Sequence, residues 1–164
     1  MRFRSGIGEG LALPMLLLAA ALPVRSQVER VSLTTTGISC GVCAAVSELH
    51  FRRMPGVESV AISLAKESIV IVYKPTANFS ARGIKEVLQP LDVGILLFRI
   101  SARGHIQEEG GKMFFIAGND KFVVPPSGNS QSLLRAATVR IEGVVNDRAD
   151  PVELKIISIT AIKP

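Results

Sequence analysis

The sequence predicts an α+β protein, with a first domain over residues 28–101 and a small all-β unit over residues 102–164. In the first part, runs typical of strands flank two segments whose apolar residues recur every three to four positions, as in helices. In the second part only strand-like runs of some length recur, and Gly, Pro and Asn separate them. The length of 164 residues is sufficient for two small domains.

The first domain is predicted to begin with a strand at Val28–Thr35, followed by a loop with two glycines and a helix at Val42–Met54. Pro55-Gly56 ends this helix. The next predicted elements are a hairpin of strands 57–64 and 68–73, a helix that Ser80 caps and Pro90 ends, and a strand at 95–100. This order is the ferredoxin-like βαββαβ arrangement, in which both helices cover one face of an antiparallel sheet.

The second unit is predicted to consist mainly of strands. They lie at 112–117, 121–124, 138–145 and 152–160, with a tight turn at 118–120, a loop at 125–130 and one helical turn at 133–137. This number of strands is compatible with a partly open OB-like barrel and with other small barrels.

The N-terminus is typical of a signal peptide. Arg2 and Arg4 precede an apolar run at Leu11–Val24, which is shorter than the roughly 20 residues of a membrane span and is broken by prolines. Cleavage before Gln27 would remove residues 1–26, so we expect a secreted or periplasmic protein. An uncleaved membrane anchor is the alternative, and it is the only membrane attachment the sequence predicts.

The charge is too small and too scattered to predict nucleic-acid binding. The whole chain has a formal charge of +5, and residues 27–164 carry 16 basic and 13 acidic side chains. Neither a Ser/His/Asp set, nor a carboxylate pair, nor a phosphate-binding loop in the right context is evident. The sequence therefore predicts a protein that is not an enzyme.

Cys40 and Cys43 are the only cysteines and form a CxxC pair at the start of the first predicted helix. Such a pair can be a redox centre, half of a zinc site, a metal-transfer site or a chance occurrence. A structural zinc site takes four protein ligands. His50 lies two helical turns beyond Cys43, too far to share an ion, and His105 is assigned no role.

Two thiolates alone suit soft ions that accept few ligands, such as Cu(I), Ag(I) and Hg(II). The helix N-terminus favours negative charge, so the helix dipole and nearby amides should stabilise both thiolates. In an oxidising compartment the pair can also form a disulfide. Metal binding therefore requires the cysteines to be reduced.

Residues 37–75 (GISCGVC…MPGV…YKP) resemble the heavy-metal-associated domain of copper chaperones, metal-transporting P-type ATPases and periplasmic mercury-binding proteins. The pattern GMTCxxC, helix, PGV is matched by Gly37, Cys40, Cys43, Pro55, Gly56 and Val57. This resemblance implies that Cys40 and Cys43 are the metal ligands. It also implies Cu(I) as the first candidate ion, with Hg(II), Ag(I) and Zn(II) as alternatives, and a metal-donor or metal-acceptor protein as partner.

Three positions depart from the family pattern. Ile38 and Ser39 replace the usual Met and Thr, and Ile38 can still fill the apolar position beneath the loop. Ile95 follows Gly94, where family members often place Lys, Phe or Tyr near the metal. The lack of a lysine here argues against a cytosolic copper chaperone and leaves metal binding itself intact.

The leading hypothesis is an extracytoplasmic protein that captures or relays Cu(I) or a similar ion. One alternative is a structural or interaction module whose metal site is incidental, with Arg52, Arg53, Arg82 and Lys85 as a basic docking surface or simply a solvated helix face. The other alternative is a thiol–disulfide redox module.

Overall fold

The computed structural model describes residues 27–126 and 138–162. Its elements are β1 (Gln27–Thr36), α1 (Gly41–Arg53), β2 (Val57–Ser63), β3 (Ser68–Tyr73), α2 (Ala81–Leu88), a 3₁₀ turn (Gln89–Leu91), β4 (Gly94–Glu109), β5 (Lys112–Ala117), β6 (Asp120–Val124), β7 (Val139–Asn146) and β8 (Glu153–Ala161). The predicted signal peptide and the helical turn at 133–137 lie outside the described residues. No described helix has the length and apolar character to cross a membrane.

The first part of the chain forms the predicted ferredoxin-like arrangement. Its strands lie in the order β2-β3-β1-β4, and all neighbours are antiparallel. Phe51 of α1 and Ile84 of α2 are fully buried and belong to the same core as Val31 and Leu33 of β1. Both helices therefore cover one face of the sheet, and the periodic apolar positions that predicted them are the ones that face the core.

β4 is much longer than the strand predicted at 95–100. It runs from Gly94 to Glu109, because alternation continues past Ile100: Ala102 and Ile106 are buried, whereas His105 and Gln107 are exposed. The predicted boundary at residues 101 and 102 thus falls inside a continuous strand. The division into two domains at that point stays a prediction.

The second half of β4 belongs to a ring of five strands. β4 pairs with β5 through residues 105–109 and with β7 through residues 99–104. β5 pairs with β6, β7 pairs with β8, and a parallel contact between Val123 of β6 and Glu153 of β8 closes the ring. Strands β5–β8 lie where strands were predicted, while an all-β or OB-like unit stays a prediction because residues 127–137 lie outside the description.

Phe79, in the loop before α2, joins the ferredoxin-like part to the ring. Its aromatic ring lies 5.7 Å from that of Phe98 in β4 and 5.9 Å from that of Phe122 in β6. Its backbone N–H donates to the Asp120 carboxylate at 3.1 Å. Further polar contacts between the two parts are Asn119–Asn78 and Lys85–Asp147. The two parts therefore share a strand and also pack against each other.

Asp120 should make the stability of this junction depend on pH. Burial raises the pKa of its carboxyl to about 6, and the Phe79 N–H opposes the shift. A carboxyl with a raised folded-state pKa contributes stability below its unfolded pKa and loses it as pH rises through the folded value. Asp120→Asn keeps an acceptor for Phe79 and removes the charge. We expect it to stabilise the protein by about 1 kcal/mol at about pH 8, after allowance for solvent screening, and by almost nothing at about pH 4.

Urea unfolding of both proteins at the two pH values measures this difference. Glu108→Gln, at an exposed carboxyl of β4, is the matched control and should leave the pH dependence unchanged. Equal destabilisation by Asp120→Asn at both pH values would mean that the carboxylate acts mainly as a hydrogen-bond acceptor.

Candidate metal-binding site

Cys40 and Cys43 lie together at the N-terminus of α1. Cys40 is the N-cap residue, with extended backbone angles, and α1 begins at Gly41. The Cys43 N–H donates to Cys40 Sγ at 3.0 Å, and the Ala44 N–H donates to the Cys40 carbonyl oxygen at 3.1 Å. The Cys40 sulfur therefore occupies the position where a serine or aspartate oxygen usually caps a helix.

In the structure the two sulfurs are joined as a disulfide, with the Cα atoms 5.3 Å apart. Cys40 is exposed and Cys43 is half-buried, and Val42 between them is 74% exposed. The loop thus brings both sulfurs together near the surface. Reduction would leave two thiols converging on one point.

Three residues on the N-terminal side of the cysteines fix the path of the loop. Ile38 is fully buried, as predicted for the apolar position beneath the loop. Gly37 has φ +86°, and a Cβ there would lie 2.9 Å from the Asp92 carbonyl oxygen, so the position requires glycine. The buried Thr35 donates through its N–H and its hydroxyl to the Glu67 carbonyl oxygen, at 2.8 and 2.9 Å. The rest of the fold therefore holds the loop in place.

The start of β4 lies beside the same end of β1. Gly94 pairs with Thr36, and Ile95 pairs with Thr35. Ile95 is half-buried. The residue after Gly94 is therefore placed next to the strand that leads into the cysteine loop, and it offers an apolar side chain there.

The electrostatics of α1 favour anionic sulfur at its N-terminus. Its first turn contains no acidic residue, and its last turn carries His50, Arg52 and Arg53. The helix dipole and free N–H groups at the N-terminus stabilise negative charge. The site can therefore hold one or two thiolates once the disulfide is reduced.

The two histidines do not join the cysteines. His50 is exposed seven residues after Cys43, about 10 Å along the helix axis. His105 is exposed in β4, opposite Ile116 of β5. Among the described residues, no group of three or more His, Cys, Asp or Glu side chains is arranged to hold a metal ion.

The proposed basic docking surface on the helices consists largely of paired cations. Arg52 pairs with Glu48, Arg82 with Glu86, and Lys85 with Asp147. These pairs neutralise much of the positive charge on the helix face. The structure therefore favours the interpretation of a solvated helix face with local ion pairs.

Sequence reasoning missed the contacts that support the loop. The buried Thr35 and its bonds to Glu67 join positions 32 residues apart, which no local pattern predicts. The close approach of Gly37 to Asp92 likewise depends on the tertiary fold. Only Gly37 itself, a glycine before the cysteines, pointed to an unusual backbone there.

Comparison with known proteins finds a curated relative and solved structures that are similar to part of the chain. No protein-family model matches the chain. A 66-residue segment, 40% of the chain, is 32% identical to a copper-exporting P-type ATPase of Bacillus subtilis and spans 8% of that protein.

Solved structures similar to part of the chain include the CopZ metallochaperone and a yeast copper transporter domain. CopZ is 19% identical with a TM-score of 0.38, and the match covers 41% of this chain and 98% of CopZ. The yeast domain is 27% identical with a TM-score of 0.36, and the match covers 42% of this chain and 94% of that domain.

Proposed function

We propose that the protein binds the soft metal ion Cu(I) through Cys40 and Cys43, and relays it to or from another protein without catalysing a reaction. The observation that carries this proposal is the placement of both sulfurs at the exposed N-terminus of α1. The sequence match to a copper-exporting ATPase supports the choice of metal. Hg(II), Ag(I) and Zn(II) are the alternative ions.

A surface site with two sulfur ligands suits transfer. Soft thiolates prefer Cu(I), and an ion with few ligands can be attacked by a ligand of a second protein before it leaves the first. Exposure of Cys40 and of the neighbouring Val42 leaves room for such an approach. We therefore propose a metal-donor or metal-acceptor protein as the partner.

Anaerobic titration of the reduced protein with Cu(I), in competition with a chromophoric Cu(I) chelator, tests the proposal. We expect one ion per chain for the reduced protein and no competition by the disulfide form. Cys40→Ser/Cys43→Ser removes both soft ligands. It should weaken binding by more than the roughly 10–100-fold effect of losing an outer-shell partner.

His50→Ala, on the same helix, is the matched control and should bind Cu(I) like the unaltered protein. Each single serine variant should bind more weakly than the unaltered protein and more tightly than the double variant. Equal Cu(I) affinity in the double variant and the unaltered protein would rule out the cysteine site.

Thiol–disulfide exchange is the second candidate function, because the two sulfurs are bonded to each other. A redox module would reduce a disulfide substrate at a rate that depends on both cysteines. The same reduced protein would show weak Cu(I) binding. The titration and a disulfide-reductase assay therefore separate the two functions.

We further propose that the protein works outside the cytoplasm, supported by Arg2, Arg4 and the apolar run Leu11–Val24.

We also propose that the second unit is an OB-like barrel. The strand order β4-β5-β6-β8-β7, closed back onto β4 with one parallel pair, supports this assignment. An incidental metal site on an interaction module stays the alternative if Cu(I) binding proves weak.

A further inference from the structure

The face of the sheet that the helices leave uncovered carries a row of arginines. In β1, Val31 and Leu33 point into the core, so Arg30 and Ser32 between them point to the opposite side. Residues directly opposite in neighbouring strands share a face. We call the side of β1, β4, β7 and β8 that carries Arg30 the open face.

Strand register places five basic residues on the open face. Arg30 lies opposite Ser101, Ser32 lies opposite Arg99, and Arg103 lies opposite Arg140. Lys155 of β8 follows in the same row as Arg99, because both lie opposite Val144 of β7. The basic residues of the open face are Arg30, Arg99, Arg103, Arg140 and Lys155.

Acidic residues neutralise only part of this charge. Glu29 contacts both Arg103 and Arg140, and Glu142 lies opposite Ser101. Arg30 and Arg99 are exposed, and neither forms an ion pair with any described residue. They occupy diagonal positions on adjacent strands, where long side chains can contact one ligand. Ser32 and Ser101 opposite them add small hydroxyl groups.

Strand register also places Glu109 at the end of β4 and Glu153, opposite Asn146, on the open face, which therefore carries five basic and four acidic side chains. Glu109 pairs with Lys121, and Glu153 accepts a hydrogen bond from Asn146, so neither of them neutralises Arg30 or Arg99. Among the described residues of this face, the positive charge without an ion-pair partner is thus concentrated at Arg30, Arg99 and Lys155.

The chain enters the described structure at the edge of this face. Gln27 pairs with Arg103, which lies opposite Arg140. The apolar segment Leu11–Val24 precedes Gln27 by only two residues. A chain held in a bilayer by this segment, before or without cleavage, would bring the arginines of the open face close to the lipid headgroups.

We propose that the open face docks on an anionic phospholipid surface. The arginine guanidinium group can donate two parallel hydrogen bonds to the oxygens of one phosphate. Each basic residue near an anionic bilayer contributes about 1 kcal/mol of attraction. The outward positions of β1, β4, β7 and β8 carry none of the Phe, Tyr or Trp side chains on which nucleic-acid bases stack. Docking through this face leaves the helices and the exposed Cys40 free. It does not depend on metal binding.

Vesicle binding of the full chain tests the proposal. Unilamellar vesicles of phosphatidylcholine alone are compared with vesicles that also contain phosphatidylglycerol, at low and high salt. The Leu11–Val24 segment contributes to both, so the measured quantity is the ratio of the two affinities. Arg30→Gln/Arg99→Gln should lower that ratio by about thirtyfold at low salt, the effect of two cations at about 1 kcal/mol each. High salt should remove most of the difference.

Arg52→Gln/Arg53→Gln removes the same charge from α1, on the covered side of the sheet, and is the matched control. It should leave the ratio within about twofold of the unaltered protein, since only cations facing the bilayer contribute strongly. Equal losses in both double variants would mean that net charge alone drives binding, and this would overturn the proposal. So would equal binding of the unaltered protein to both vesicle types, as expected if the face instead meets an acidic protein. Cu(I) titration of Arg30→Gln/Arg99→Gln should give unaltered affinity, so failure here is distinct from failure of the metal site.

Discussion

Gly104→Ala is expected to destabilise the protein by about 3 kcal/mol or more, at the upper end of the cost of overpacking. Gly104 lies in β4 where the strand passes from its β7 pairing to its β5 pairing. A Cβ there would overlap the Ile116 carbonyl oxygen and come within 2.8 Å of Phe115 Cζ. The Ile116 oxygen belongs to the backbone, and Phe115 is fully buried. Moving either atom away from a new Cβ would therefore disturb the strand pairing or the packed core.

Urea unfolding followed by circular dichroism measures this loss. Gly41→Ala is the matched control, because a Cβ at Gly41 meets nothing within 4 Å and the residue lies in the first turn of α1. Alanine there should change stability by between zero and about 1 kcal/mol in the favourable direction. If Gly104→Ala unfolds at the same urea concentration as the unaltered protein, the close approach of β4 to β5 is wrong.

The elements of the first domain were predictable because their patterns are local. Alternation in SIVIVY and three-to-four spacing around Phe51 each report which side of one element faces the core. Pro90 and Gly94 also marked the end of α2 and the start of β4. Such features need no knowledge of distant contacts.

The length of β4 and the ring that it helps to close were not predicted. Alternation through Ala102, Gly104 and Ile106 was present in the sequence, but Gly104 breaks a strand pattern unless a close backbone contact explains it. The parallel contact of β6 with β8 joins residues 30 positions apart, Val123 and Glu153, and depends on the whole topology. Strand pairing of this kind is non-local and leaves no periodic trace.

The candidate metal site also has features that the sequence predicts and features that depend on the tertiary fold. Cys40 and Cys43 could be chosen from spacing and from the glycine and helix around them, whereas the bonds of Thr35 to Glu67 could not. The open face was predictable only in part. Alternation in VERVSLTT places Arg30, Ser32 and Thr34 on one side, but only the register with β4 and β7 brings Arg99, Arg103 and Arg140 beside them.

Phe51→Ala is expected to cost about 3–5 kcal/mol, the usual loss for a fully buried phenylalanine. Phe51 lies on α1, beneath which the core continues through Ile100 and Ala102 of β4 to Phe115 and Phe122 of the ring. Because β4 belongs to both parts, neither part can lose this strand and stay folded. The loss should therefore lower the stability of both parts together, in one cooperative transition.

Two probes distinguish one cooperative unit from two independent ones. Tyr73, the only tyrosine, is buried in β3 and reports by fluorescence on the first part, while hydrogen exchange of the β6 amides reports on the ring. In Phe51→Ala the free energy of opening at β6 should fall by the same amount as the tyrosine-monitored free energy of unfolding. Leu49→Ala, at a 49% exposed position of the same helix, should change both by less than about 0.5 kcal/mol. Unchanged exchange at β6 in Phe51→Ala would show that the ring folds on its own, and the shared strand would then join two separable domains.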